Sequence, residues 1–170
     1  MYTDKELDIA LMGGLSPLIQ RRGYLRLSEL FIIAWWKTDD RFKDSRPYEI
    51  VTHNSRKRIE QVTREAFQLL EKKQVNEAIA KLRAPNGLWG IQLPYASAFL
   101  CFYDREKYGV IDQYALKALE QLDRRFHFDD ANECIYEDYL AALADIRRLI
   151  PDFDFHMIDA ALYVIRDNPL

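Results

Sequence analysis

The stretch Ala84–Leu119, APNGLWGIQLPYASAFLCFYDREKYGVIDQYALKAL, decides how the rest of the chain is read. It opens on a short apolar loop, Leu88-Trp89-Gly90-Ile91, held by Gly87 and Gly90. An apolar helix from about Pro94 to Phe102 follows at once, and Asp112 then stands at the start of another apolar helix. A glycine-held loop at a helix start leaves backbone N–H groups pointing outward, an arrangement that receives an anion such as phosphate. Asp112 follows Val110 and Ile111, so its charge needs partners supplied by its own site. Together the two features describe a grip for a nucleic-acid backbone with a carboxylate nearby.

Working upstream, Pro85-Asn86-Gly87 ends a helix of about Val75 to Arg83, whose Ala78, Ile79 and Leu82 face inward. Before it, Asn54 or Ser55 caps a helix to about Lys72, with Ile59, Val62, Ala66, Leu69 and Leu70 as one apolar stripe. Residues 38–53 are polar, contain Pro47 and read as a long loop. Ser28 caps a helix to Lys37 that is apolar all round from Leu30 to Trp36, as expected of a central buried helix. Trp35 and Trp36 at its end are base-pocket candidates, and two core tryptophans are the plainer alternative. Lys37 either reaches a phosphate or answers the helix dipole. Residues 4–20 carry Leu7, Leu11, Leu15 and Leu18 at helical spacing, interrupted by Gly13-Gly14 and Pro17 and closed by Gly23.

Downstream, residues 123–132 read as a polar loop, followed by a helix from about Glu133 to Leu149. A last helix of about Phe155 to Arg166 carries Asp159 as a helix-terminal charge. No strand is expected. The fold class is all-α, about eight helices in one domain over residues 1–170, with a helix-hairpin-helix element at about 75–103.

The chain has 170 residues, 30% charged and 49% apolar, which is ordinary globular composition. Its net charge of −3 counts against a surface basic throughout, so nucleic-acid binding requires charge segregated onto one face. Two cysteines, Cys101 and Cys134, allow neither a zinc site nor a four-thiolate iron–sulfur cluster. No metal site is expected. His53, His127 and His156 are scattered in polar surroundings and read as surface residues. The charged start Asp4-Lys5-Glu6 and the lack of a membrane-length apolar run give the expectation of a cytoplasmic protein.

Gly90-Ile91-Gln92, then Ala96, then Val110-Ile111-Asp112 resembles the helix-hairpin-helix DNA glycosylase superfamily, whose pattern is L-P-G-V-G-x-x-T-A followed by V-D-x-H-V. Sixteen positions separate Ala96 from Asp112, which fits that spacing. Arg22-Gly23-Tyr24-Leu25, Ser28-Glu29-Leu30 and Trp36-Lys37 resemble a bacterial branch with the same hairpin and aspartate. Three departures bear on activity. Gln92 replaces the second hairpin glycine, Tyr114 replaces the histidine, and Pro94 stands where lyase-competent members carry a lysine. The last removes the amine that a Schiff base needs.

The resemblance implies a DNA-binding protein, at most a monofunctional DNA N-glycosylase that excises a damaged or modified base. Asp112 would be the catalytic carboxylate. Gly87, Trp89, Gly90, Gln92, Leu93 and Lys37 would contact DNA, chiefly through the N–H groups of Gly90 and Gln92. A monovalent cation at the hairpin is the one cofactor it allows. Three readings stay open beside these: Asp112 as a helix cap, Gly90 as an ordinary turn, and Trp89 as a staple between helices. The alternative function is a catalytically inactive helix-hairpin-helix module that binds DNA or a protein partner, with no membrane association.

Overall fold

A computed structural model describes residues 5–38 and 45–165. Among the described residues it is all-helical, with nine α-helices, two short 3-10 turns and no strand. The α-helices in chain order are α1 (Lys5–Arg22), α2 (Leu27–Lys37), α3 (Arg46–His53), α4 (Arg56–Glu71) and α5 (Val75–Leu82). They continue as α6 (Leu93–Tyr103), α7 (Gln113–Leu122), α8 (Tyr136–Leu149) and α9 (Phe155–Ile165). No helix among the described residues is long and apolar enough to cross a membrane.

The helix at the centre is α6. Leu93, Ala96 and every residue from Ser97 to Phe102 are buried. Its sequence carries no charge before Asp104, so no face of it asks for water. Phe99 and Phe102 are fully buried, each contributing roughly 1.5–3 kcal/mol through the apolar surface withdrawn from water. Helices α1, α2 and α5 pack on α6, and α7 packs against α9.

Of the two readings open for residues 4–20, one helix or two short ones, the structure has one: α1 runs unbroken through Gly13, Gly14 and Pro17 and buries Met12 and Ile19, leaving Leu18 exposed. Other sequence expectations change. Helix α2 begins one residue before Ser28, and the backbone N–H of Arg26 donates to Glu29 Oε2 at 2.8 Å. It is buried on one side only: Leu27, Phe31 and Trp35, spaced four apart, stay exposed. The polar stretch around Pro47 forms α3, with the proline in its first turn, where a missing N–H costs nothing. The 123–132 loop contains the two 3-10 turns, Arg124–Phe126 and Ala131–Glu133. The loop expected over residues 39–44 lies outside the described residues.

Candidate functional site

Between α5 and α6 the chain turns through residues 83–92, and its geometry follows from the glycines. Gly90 sits at φ +74°, the left-handed region. Gly87 is required for space instead: a Cβ there would lie 2.3 Å from the Leu82 carbonyl carbon and oxygen. Gln92 has φ −108°, so the position where the resembled pattern has glycine needs no left-handed residue here. That departure is absorbed without strain.

Every main-chain carbonyl from Asn86 to Gln92 accepts a hydrogen bond. Arg58 donates to Asn86 and Gly87 at 2.6 and 3.2 Å. Arg46 donates to Gly90 at 3.2 Å and Asn54 Nδ2 to Trp89 at 3.0 Å. Ile91 N donates to Leu88, Ala84 N to Ile91, and Tyr95 and Ala96 N to Gln92. The amides are used less completely. Gly87 and Leu88 donate back to Arg83 and Leu82, Trp89 to Asn54 Oδ1 at 2.8 Å, and Leu93 to Asn132 Oδ1 at 2.9 Å. The N–H groups of Asn86, Gly90 and Gln92 have no partner among the described residues. Three of the loop's carbonyls accept from guanidinium groups. What the loop leaves over is donors, which suit an anion.

Asp112 is the N-cap of α7, one residue before the helix. Its Oδ1 accepts from Tyr114 N and Ala115 N, both at 2.9 Å. Its Oδ2 is 2.9 Å from Lys37 Nζ, and both residues are buried. Lys37 lies in the last turn of α2, so each charge meets the helix end that favours it, the acid at an N-terminus and the amine at a C-terminus. The sequence left Lys37 two readings, a DNA phosphate or its own helix dipole. With its side chain 5% exposed and paired to Asp112, it is no phosphate contact but part of the acid's own surroundings.

Further hydrogen bonds tie this pair to α6. Ser97 Oγ donates to Pro94 O at 3.0 Å and accepts from Ile111 N at 3.2 Å, fixing the residue before Asp112 against the first turn of α6. Thr38 Oγ1 lies 2.8 Å from Tyr95 Oη. Because Thr38 spends its proton on Ala34 O, the tyrosine is the donor. The start of α6, the start of α7 and the end of α2 thus converge.

The remaining sequence candidates separate. Trp89 is 42% exposed at the loop. Trp35 is exposed, whereas Trp36 is buried edge-on to Phe102 at 5.2 Å, a core residue rather than a pocket wall. Leu93 is buried and its N–H is committed to Asn132. His156, read as a surface residue, is buried, and desolvation lowers its pKa from 6.5 to about 4. Asp159, read as a helix-terminal charge, is 2% exposed and accepts from Tyr139 Oη. Burial raises the Cys101 thiol well above its usual pKa and Cys134 to about 11, so neither is a thiolate at neutral pH. Among the described residues no group of His, Cys, Asp and Glu is placed to hold a metal ion.

Sequence reasoning missed the role of Asn54, Asn132, Arg46 and Arg58, the side chains that hold the loop. An asparagine before a helix signals a cap, and nothing local says that Asn54 faces a loop 35 residues away. No family model, no curated protein and no solved structure matches the chain.

Proposed function

We propose that this chain binds the DNA backbone through a helix-hairpin-helix element, α5–loop–α6, and acts as a monofunctional DNA glycosylase with Asp112 as its carboxylate. The observation that carries the reading is the junction through Ser97, which holds Asp112 beside the first turn of α6. The spare amides of Gly90 and Gln92 in the same loop would take a phosphate oxygen, aided by Arg46 and Arg58 around them.

Basic charge is locally concentrated as such binding requires: residues 45–60 hold Arg46, Arg56, Lys57 and Arg58 against Glu49 and Glu60. In the reaction, the C1′–N bond breaks with its electron pair leaving on the base. The resulting oxocarbenium-like centre is stabilised by the Asp112 charge, and water adds at C1′ with loss of a proton. Pro94 supplies no amine, so strand cleavage is not part of the proposal.

The test uses duplex oligonucleotides that each carry one alkylated, oxidised or deaminated base. The expected product is an abasic site in an intact strand, cut only after alkali. Asp112→Asn should abolish base release and leave DNA binding in place. Because an asparagine amide would face Lys37, the Asp112→Asn/Lys37→Met double variant serves as the folded control. Base release by that variant at the wild-type rate would defeat the catalytic assignment.

One observation favours a second reading, a binding module without catalysis. Both Asp112 oxygens already have partners, two amides on Oδ1 and an ammonium on Oδ2, so the carboxylate is engaged as a helix cap and ion pair with one acceptor site left on Oδ2. This reading expects no base release from any lesion. Binding that weakens steeply with salt identifies DNA as its ligand, and a protein-binding module shows no such dependence on DNA.

A further inference from the structure

Trp89 is exposed at the loop, and its main chain is held independently of its side chain. Asn54 holds the residue through main-chain atoms alone, accepting from Trp89 N at 2.8 Å and donating to Trp89 O at 3.0 Å. A staple between helices would bury its indole in apolar atoms. Trp89 is 42% exposed, and its ring meets an imidazole and a guanidinium. The His53 ring stacks on it, centroids 4.1 Å apart and planes 19° from parallel. The Arg46 guanidinium lies 5.6 Å from its centroid.

The stack is fixed from below. His53 Nδ1 is 2.8 Å from Glu49 O, and a carbonyl only accepts, so that nitrogen carries the proton and the ring is tethered to its own helix. Arg46 is held in turn by Gly90 O at 3.2 Å and by Glu49 at 3.7 Å. A rigid, partly exposed aromatic surface backed by a second ring and flanked by a guanidinium matches the face of a nucleobase. The nearby cations Arg46 and Arg58, with the basic 56–58 run, match the phosphate attached to it.

We propose that Trp89, backed by His53 and flanked by Arg46, is a stacking site for an unpaired base, so that the favoured ligand is single-stranded or locally unpaired DNA. The inference rests on the backbone-binding reading above and adds the class of DNA to it. Within an intact duplex both faces of each base are already stacked, and an indole at a loop has none to meet.

The experiment is fluorescence anisotropy of a labelled oligothymidylate and of a labelled duplex of equal length, titrated with the whole chain. The wild type should bind the oligothymidylate more tightly than the duplex. Trp89→Ala should weaken oligothymidylate binding by about tenfold or more, the scale of one lost base stack, and change duplex binding little. Trp89→Phe should restore most of it. Asn54 grips only main-chain atoms, so both variants should keep the wild-type melting temperature closely, which thermal unfolding checks. Unchanged oligothymidylate affinity in Trp89→Ala, or tighter wild-type binding to duplex, overturns the stacking site and leaves the backbone reading standing. No wild-type binding to either DNA overturns both.

Discussion

In loop 83–92 the holding groups come from outside and grip main-chain oxygens: Arg46, Arg58 and Asn54 account for four carbonyls, and three amides, of Asn86, Gly90 and Gln92, are left over. A few residues on, where α2, α7 and α9 gather, the groups are ionisable side chains facing one another. Lys37 pairs with Asp112, Arg105 with Asp154 at 2.9 Å, and Tyr139 donates to Asp159. The loop has donors to spare and the second region spends what it has. The difference teaches where ligand and cost reside. An excess of donors at a surface invites an anion at small expense to stability. Buried charge closed on itself is expensive to break and gives no ligand an easy entry.

The largest effect should fall on the closed region. Asp112→Ala strands the Lys37 ammonium and removes the α7 cap, and should cost about 3–5 kcal/mol in urea unfolding. Replacing both residues, Asp112→Ala with Lys37→Met, should recover part of that. A single variant as stable as the wild type would mean that the pair is not a closed unit.

Acid should strike the same region. Burial lowers the His156 pKa from 6.5 to about 4. Between those values the unfolded chain binds the additional proton, so stability is full above about pH 6.5 and falls as pH drops toward 4. The loss amounts to about 3 kcal/mol. A His156→Gln variant should show a correspondingly flatter stability profile across that window. Identical profiles would remove His156 from the account.

Changes in the loop should be smaller. Gly87→Ala places a Cβ against the Leu82 backbone and should cost about 1–3 kcal/mol by overpacking. Gly90→Ala should cost about 1–2 kcal/mol, the left-handed penalty, because its nearest neighbour is the Ile50 side chain at 3.3 Å, which can give way. Thermal unfolding of the two variants side by side checks the order. The reverse order would mean that φ, and not space, limits this loop.

Much of the helical framework is legible in the sequence because its signals are local. The Ser55 cap accepts from Arg58 N at 3.2 Å, Ala78, Ile79 and Leu82 face inward, and α6 is apolar throughout. Helix α3 escaped because Pro47 reads as a loop marker, although a proline serves equally well in a first turn. Residues Lys37 and Asp112 were each singled out, but 75 positions separate them and no periodicity reports a pair. His156 escaped for a related reason. Asp154 beside it looks like a surface residue, and it is buried with a bridge to Arg105 from another part of the chain and a bond from Met157 N.

The most direct measurement follows amide resonances of the labelled chain during titration with a short unpaired DNA. If the loop and Asp112 serve one ligand, the Gly90 and Gln92 signals should shift together with those of Tyr114 and Ala115, the two amides bound to Asp112, over one concentration range. DNA that shifts other residues and leaves Gly90 and Gln92 unmoved, or shifts the loop and never Tyr114 and Ala115, would contradict a shared site.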